Sequence, residues 1–156
     1  MAITSAICNS FKTEILTATH NFTNSTGNTF KLALYSSNSA TLSKSTTAYT
    51  APSDGTADPT NTYEVTSTSS GYTTGGNSLT STTPALSGDT ACCLFASTSW
   101  GSTASFTARG CLIYNSSASN KAVCVVNFGA DKTVTTGTFT VEFPAQTAGN
   151  AIIQIA

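Results

Sequence analysis

The amino-acid sequence predicts a mainly β protein, an antiparallel β-sandwich or open barrel with one N-terminal α-helix. Of the 156 residues, 53 are Ser or Thr, and such short polar side chains favour strands and turns over helices. Hydrophobic residues make up 39% of the chain, enough to build the core of one domain of this length. We therefore expect a single domain over residues 1–156, with a helix at about 4–19 and a β domain at about 29–156.

The N-terminal segment has the spacing of an amphipathic helix. Its apolar residues recur at intervals of four, and Thr4 or Ser5 is placed to cap the start. The apolar stripe packs either on the chain's own sheet or, as an arm, on a neighbouring subunit. The second interpretation makes four residues candidates for a subunit interface: Ile3, Ile7, Phe11 and Ile15.

The middle of the chain begins with a strand and continues as a loop. Phe30, Leu32 and Leu34 alternate with other residues, as in a strand with one apolar face. Residues 36–61 hold two prolines and many Ser and Thr, and they predict a long surface excursion.

The second half predicts a sheet. Near-continuous apolar runs indicate strands covered on both faces at 91–96, 106–114 and 121–128, the last two joined by a hairpin loop at 115–120. A turn is expected at 129–132, followed by an alternating strand around Phe139 and Val141 and a closing strand at 151–155. These segments give seven or eight strands, as in a sandwich or open barrel.

Charge and cysteine usage exclude several classes of protein. Charged residues form only 8% of the chain, and its formal net charge is −1. The lysines are scattered and Arg109 is the single arginine, so we expect no nucleic-acid partner. We see neither a signal-peptide pattern nor a run of about 18 apolar residues, and we expect no membrane partner. The five cysteines lack metal-ligand spacing and are expected to be reduced core residues of a protein that folds in a cytoplasm.

The chain offers no catalytic, cofactor-binding or metal-binding constellation, and we expect no enzyme. His20, the single histidine, is expected to face the negative end of the helix dipole. Asp54 and Asp58 lack the further acidic ligands of a calcium loop and are interpreted as turn residues. The glycine-rich stretch at 71–76 is interpreted as a turn rather than a phosphate cradle. Trp100 is either a platform for sugar stacking or a core anchor.

Five segments occur in a characteristic order and spacing across nearly the whole chain. They are AICNSFKTEIL at 6–16, TFKLALY at 29–35, GYTTGGNSL at 71–79, TARGCLIYN at 107–115 and VNFGADK at 126–132. They resemble a family of small virion structural proteins of tailed bacteriophages.

The resemblance implies a particle component and carries no catalytic or binding residue to transfer. The role that suits this chain best is a capsid decoration (cement) protein, which bridges and stabilises major capsid protein subunits. Such a protein is made in the bacterial host cytoplasm, resides on the capsid surface of the virion and forms a homo-oligomer, with a trimer favoured. One alternative is a tail, neck or fibre structural protein. An alternative of another class is an extracellular carbohydrate-binding adhesin.

Overall fold

The computed structural model describes residues 3–36, 41–51, 63–66 and 71–156. It confirms a mainly antiparallel β fold with one short helix near the N-terminus. In chain order the elements of the described residues are β1 Ala6–Ile7, α1 Asn9–Leu16, β2 Phe30–Tyr35, β3 Asn77–Leu79, β4 Ala85–Ser87, β5 Thr90–Cys93, β6 Thr98–Asn115, β7 Lys121–Val141 and β8 Ile153–Ile155.

The strands form two antiparallel sheets. The larger sheet has the order β1-β7-β6-β2-β3, and the smaller has the order β4-β5-β8. In the larger sheet β2 pairs with β6 from Phe30 opposite Asn115 to Tyr35 opposite Gly110. Residues 32–34 of β2 are fully buried whichever face they occupy, because the sheet is covered on both sides.

The N-terminal segment differs from the predicted helix at 4–19. The helix begins only at Asn9 and ends at Leu16, while Ala6 and Ile7 pair with β7. Ser5 caps no helix, because its Oγ accepts a hydrogen bond from the N–H of Asn127 at 2.8 Å. A spacing of four fits the helical period of 3.6 and the strand period of 2, so the apolar stripe did not distinguish between them.

The β6–β7 hairpin contains register shifts where a turn was expected at 129–132. Ala108 pairs with Lys132 while Gly110 pairs with Asn127, so β7 carries extra residues between these two pairs. Gly129, within this bulge, has φ +78°, a conformation that glycine adopts without strain. The turn prediction is therefore corrected to a bulge inside one continuous strand.

The bulges bend the hairpin back over the larger sheet. Phe128 and Phe139 belong to the same strand, yet their ring centroids are only 6.4 Å apart. Eleven residues of straight strand would separate them by about 36 Å. The open end of the hairpin therefore forms a second layer, in the way that strands of orthogonal sandwiches turn corners at bulges.

The core is one cluster of buried residues between these layers. Phe22 stacks on Phe30 with ring centroids 4.4 Å apart. All five cysteines are buried and free, which confirms their prediction as core residues. The large apolar side chains left exposed in the described residues are Leu16, Leu86 and Ile155.

One glycine fixes the distance between the turn at 71–76 and β2. Gly76 has φ +69°, and a Cβ at this position would overlap the backbone carbonyl of Leu32. Only glycine allows the turn to pack so closely on β2. In the described part of the chain, the helix is neither long nor apolar enough to cross a membrane.

Candidate functional site

The four predicted interface residues do not form one exposed stripe. Ile3 and Phe11 are 1% and 3% exposed and lie in the chain's own core. The interface prediction is therefore wrong for these two residues, because Ile3, before β1, and Phe11, in α1, both point into the core. Ile7 and Ile15 are half-buried against the core, and their contact with a partner stays a prediction.

His20 lies against helix α1 rather than facing the end of its dipole. Its side chain is 0% exposed, and its Nε2 is 2.8 Å from Oε2 of Glu14. On the other side of the ring, Nδ1 is 3.0 Å from Nδ2 of Asn115. Because an amide nitrogen only donates, Nδ1 accepts and Nε2 carries the proton that is donated to Glu14. The predicted capping position is wrong because the helix ends before His20, at Leu16.

The Asn115 amide is held in one orientation by its other partners. Its Nδ2 also donates to Oδ1 of Asn28 at 3.0 Å, and its Oδ1 accepts from the N–H of Ser117 at 3.1 Å. Asn28 Oδ1 in turn accepts from the N–H of Asn21 at 2.8 Å. Turning either amide round would place a donor against a donor, so the network specifies the histidine tautomer.

Glu14 completes this network at the helix. Its Oε1 accepts from Nζ of Lys121, the first residue of β7, at 2.7 Å. Burial of the Glu14 carboxyl favours its neutral form, but the hydrogen bonds from Lys121 and His20 and the charge of Lys121 outweigh this effect and lower the pKa of Glu14. The imidazole is closed from solvent and both of its nitrogens have partners, so the network positions α1 on the β6–β7 hairpin and presents no base to a substrate.

A second polar cluster surrounds Glu64, which is 3% exposed. Its Oε1 accepts hydrogen bonds from the Tyr72 hydroxyl at 2.7 Å and the Gly75 N–H at 2.6 Å, and its Oε2 accepts from the Tyr49 hydroxyl at 2.8 Å. The Tyr72 oxygen also accepts from the N–H of Leu34 in β2 at 3.0 Å. One carboxyl group thus connects four separate parts of the chain.

The pKa shifts of the Glu64 cluster keep its tyrosine hydroxyls protonated, so that they can donate hydrogen bonds. Burial raises the pKa of Glu64, and the three hydrogen bonds and the charge of Lys31 offset this only in part. Burial and the nearby Glu64 charge raise the pKa of Tyr49 and Tyr72, so both hydroxyls keep their protons. Tyr114 closes the cluster, stacking on Tyr49 at 4.4 Å between ring centroids.

Sequence reasoning did not single out Glu64. Glu64 forms one isolated bridge to Tyr35 and belongs to none of the strands of the described residues. The only local signal was an acidic residue between two apolar ones. Its hydroxyl partners, Tyr49 and Tyr72, come from elsewhere in the chain, and no periodicity connects them.

An apolar groove of about 520 Å³ lies between β1, β7 and the segment before β8. We call it the β7 groove; its apolar lining includes Ile7, Val126, Phe128, Val141, Phe143 and Ile152. A second depression of about 400 Å³ is lined by Phe128, Lys132, Phe139, Thr140, Val141 and Glu142, and we call it the β7 patch. Because Phe128, Val141 and Glu142 line both, the groove and the patch form one continuous surface.

The other residues that the sequence singled out have structural roles or lie outside the described residues. Trp100 is buried, with its ring centroid 6.0 Å from those of Tyr72 and Phe139, which makes it a core anchor and no platform for a sugar. The stretch at 71–76 forms a turn next to Glu64. Asp54 and Asp58 lie outside the described residues. Within the described ranges, no group of three or more His, Cys, Asp and Glu side chains is placed to hold a metal ion.

Comparison of the chain with protein-family models, with curated proteins and with solved structures finds no match in any of the three. The site is accordingly interpreted from the chain's own residues. Among the described residues, two largely buried polar clusters hold elements in place, and a continuous surface of half-buried apolar side chains runs along β7.

Proposed function

We propose that this chain is a structural component of a tailed-phage virion, namely a capsid decoration (cement) protein that bridges major capsid protein subunits. The five sequence segments that resemble small virion proteins support this proposal. We further propose that the chain forms a homo-oligomer on the capsid surface, with a trimer favoured.

The observation that carries the proposal is the continuous apolar surface of the β7 groove and the β7 patch. Its apolar side chains are half-buried in the free chain, and contiguous apolar surface left open on a folded domain is typical of sites that bind another protein. Burial in a subunit contact contributes about 25 cal/mol per Å² of apolar area, and a decoration protein repeats that contact over many copies. The apolar part of this attraction is largely insensitive to salt, because it involves no charges.

The two polar clusters support a packing role over a chemical one. His20 and Glu64 are the groups whose surroundings most resemble those of an acid–base site. Both are buried, and each bonds to side chains from distant parts of the chain. Buried hydrogen bonds of this kind make the fold rigid, and rigidity suits a structural component that is loaded by neighbouring subunits.

The copy number of the chain in purified particles tests the proposal. Quantitative mass spectrometry against the major capsid protein is expected to give comparable copy numbers for the two proteins. A few to a few dozen copies per particle would contradict the decoration role and assign the chain to the tail, neck or fibres. Absence from particles, together with binding to beads of host polysaccharide, would overturn the virion proposal in favour of an adhesin.

A further inference from the structure

We propose that a second copy of this chain docks on the β7 patch, with Lys132 of one copy paired to Glu142 of the next. This inference deepens the proposed function by naming the surface through which the chain self-associates. It rests only on the oligomeric part of that proposal and is independent of the station in the virion.

The centre of the β7 patch is apolar and firmly supported. Phe128, Phe139 and Val141 are half-buried and line the depression. Behind them, the Phe139 ring centroid lies 5.1 Å from that of Phe106 and 6.0 Å from that of Trp100, both buried. A centre held by core side chains loses little freedom when a partner covers it, which favours binding.

The rim of the patch carries one charge of each sign. Lys132 and Glu142 are both exposed and line the same depression. In the part of the chain that the structure describes, neither has an ion-pair partner within 4.0 Å; the pairs there are Arg109 with Asp131, Lys121 with Glu14, and His20 with Glu14. These two charges are therefore available to a partner.

The charges of the patch are opposite in sign, so each finds an opposite charge on a second copy of the chain. With a cation and an anion on the rim of one apolar centre, rotation about a symmetry axis brings the Lys132 side of one copy to the Glu142 side of another. Every copy of a closed dimer or trimer then makes each pair once. A strongly acidic or basic partner would instead meet one repulsive charge on the rim, so a copy of the chain fits the patch better.

Charge reversal of the purified full chain tests the inference. Sedimentation equilibrium at low ionic strength is expected to show an oligomer for the unaltered chain. Lys132→Glu and Glu142→Lys should each raise the dissociation constant at least about tenfold, because like charges then meet across the contact. The double variant Lys132→Glu/Glu142→Lys restores opposite charges and should return to within about threefold of the original value.

Lys44→Glu is the matched control, since Lys44 is exposed and lies outside the patch. This variant should associate like the unaltered chain. A monomeric unaltered chain at about 100 μM would overturn the inference, as would single reversals without effect or a double variant without rescue. The sedimentation measurement uses no particles, so it tests the interface separately from the decoration role. If the purified chain were a monomer but its copy number in particles matched that of the capsid protein, the interface would be refuted and the decoration role would stand.

Discussion

Replacement of Tyr72 by Phe tests whether the Glu64 cluster holds the fold together. The substitution keeps the ring against Trp100 and removes only the hydroxyl group. That oxygen donates to Oε1 of Glu64 at 2.7 Å and accepts from the N–H of Leu34 at 3.0 Å. Both partners are buried, and each loses one hydrogen bond when the Tyr72 hydroxyl is removed.

The expected cost follows from these two bonds. A hydrogen bond to a charged group contributes about 1.5–3 kcal/mol, and a buried backbone N–H left without a partner costs about 1–3 kcal/mol. Tyr72→Phe should therefore lower the free energy of unfolding by about 2.5–6 kcal/mol. Tyr49→Phe removes one donor to Glu64 and leaves no backbone group unpaired, so its cost should be about 1–3 kcal/mol.

Urea unfolding gives the measurement. Trp100 is the single tryptophan of the chain, is buried, and lies 6.0 Å from the Tyr72 ring, so its fluorescence reports loss of the core. Tyr63→Phe is the control, because the Tyr63 hydroxyl makes no hydrogen bond within the described residues, and we expect a change within about 0.5 kcal/mol. If Tyr72→Phe cost no more than Tyr63→Phe, the cluster would not contribute to stability and the reasoning would be refuted.

Three further predictions concern pH, thiols and glycines. Because burial raises the native pKa of Glu64 above the usual value of a glutamate, its contribution to stability is complete below the unfolded-state pKa and is lost as pH rises through the native pKa. Glu64→Gln should flatten this decline when unfolding free energies are compared with the unaltered chain from about pH 4 to 8, and parallel curves would contradict the assignment. Burial also raises the pKa of Cys93 and Cys111 to about 12, so a thiol reagent should label the five cysteines only after denaturation; rapid labelling of the native chain would refute their burial. Gly76→Ala should prevent stable folding, whereas Gly88→Ala, at φ +61° with no heavy atom within 4 Å of the added methyl, should cost about 1 kcal/mol; equal melting temperatures by circular dichroism would contradict the packing of the turn.

The strands that sequence reasoning placed well are those specified by local patterns. The alternation that begins at Phe30 predicted a strand that the structure has over Phe30–Tyr35. The apolar runs at 106–114 and 121–128 lie within β6 and β7, and the loop between them is the hairpin expected at 115–120. Such runs identify buried strands because little else buries so many consecutive apolar residues in a chain rich in Ser and Thr.

The bend of the β6–β7 hairpin could not be predicted from local sequence patterns. Gly129 and its neighbours signal a local departure from extended backbone, and a turn and a bulge use the same residue types. The outcome depends on whether β6 continues alongside, and here Ala108 pairs with Lys132 beyond the bulge. That pairing is a tertiary fact with no trace in the residues around Gly129.

The candidate site shows the same limit more strongly. Ile7 was predicted at an interface, and it lines the β7 groove, although its neighbours Ile3 and Phe11 proved to be core residues. The surface itself joins Val126, Phe143 and other residues that meet only because the hairpin folds over. Sequence patterns report which residues are apolar, whereas the grouping of half-buried ones into a surface follows from topology.

The pairing of β1 with β7 has a consequence for synthesis of the protein. Ala6 pairs with Val125, which leaves the ribosome roughly 120 residues later, or about 6–24 s at about 5–20 residues per second. Strand β2 waits as well, because Phe30 pairs with Asn115. The nascent chain therefore cannot complete its main sheet until β7 has been translated. Premature termination before β7 would release a chain without this sheet and with few charges to keep it from aggregating.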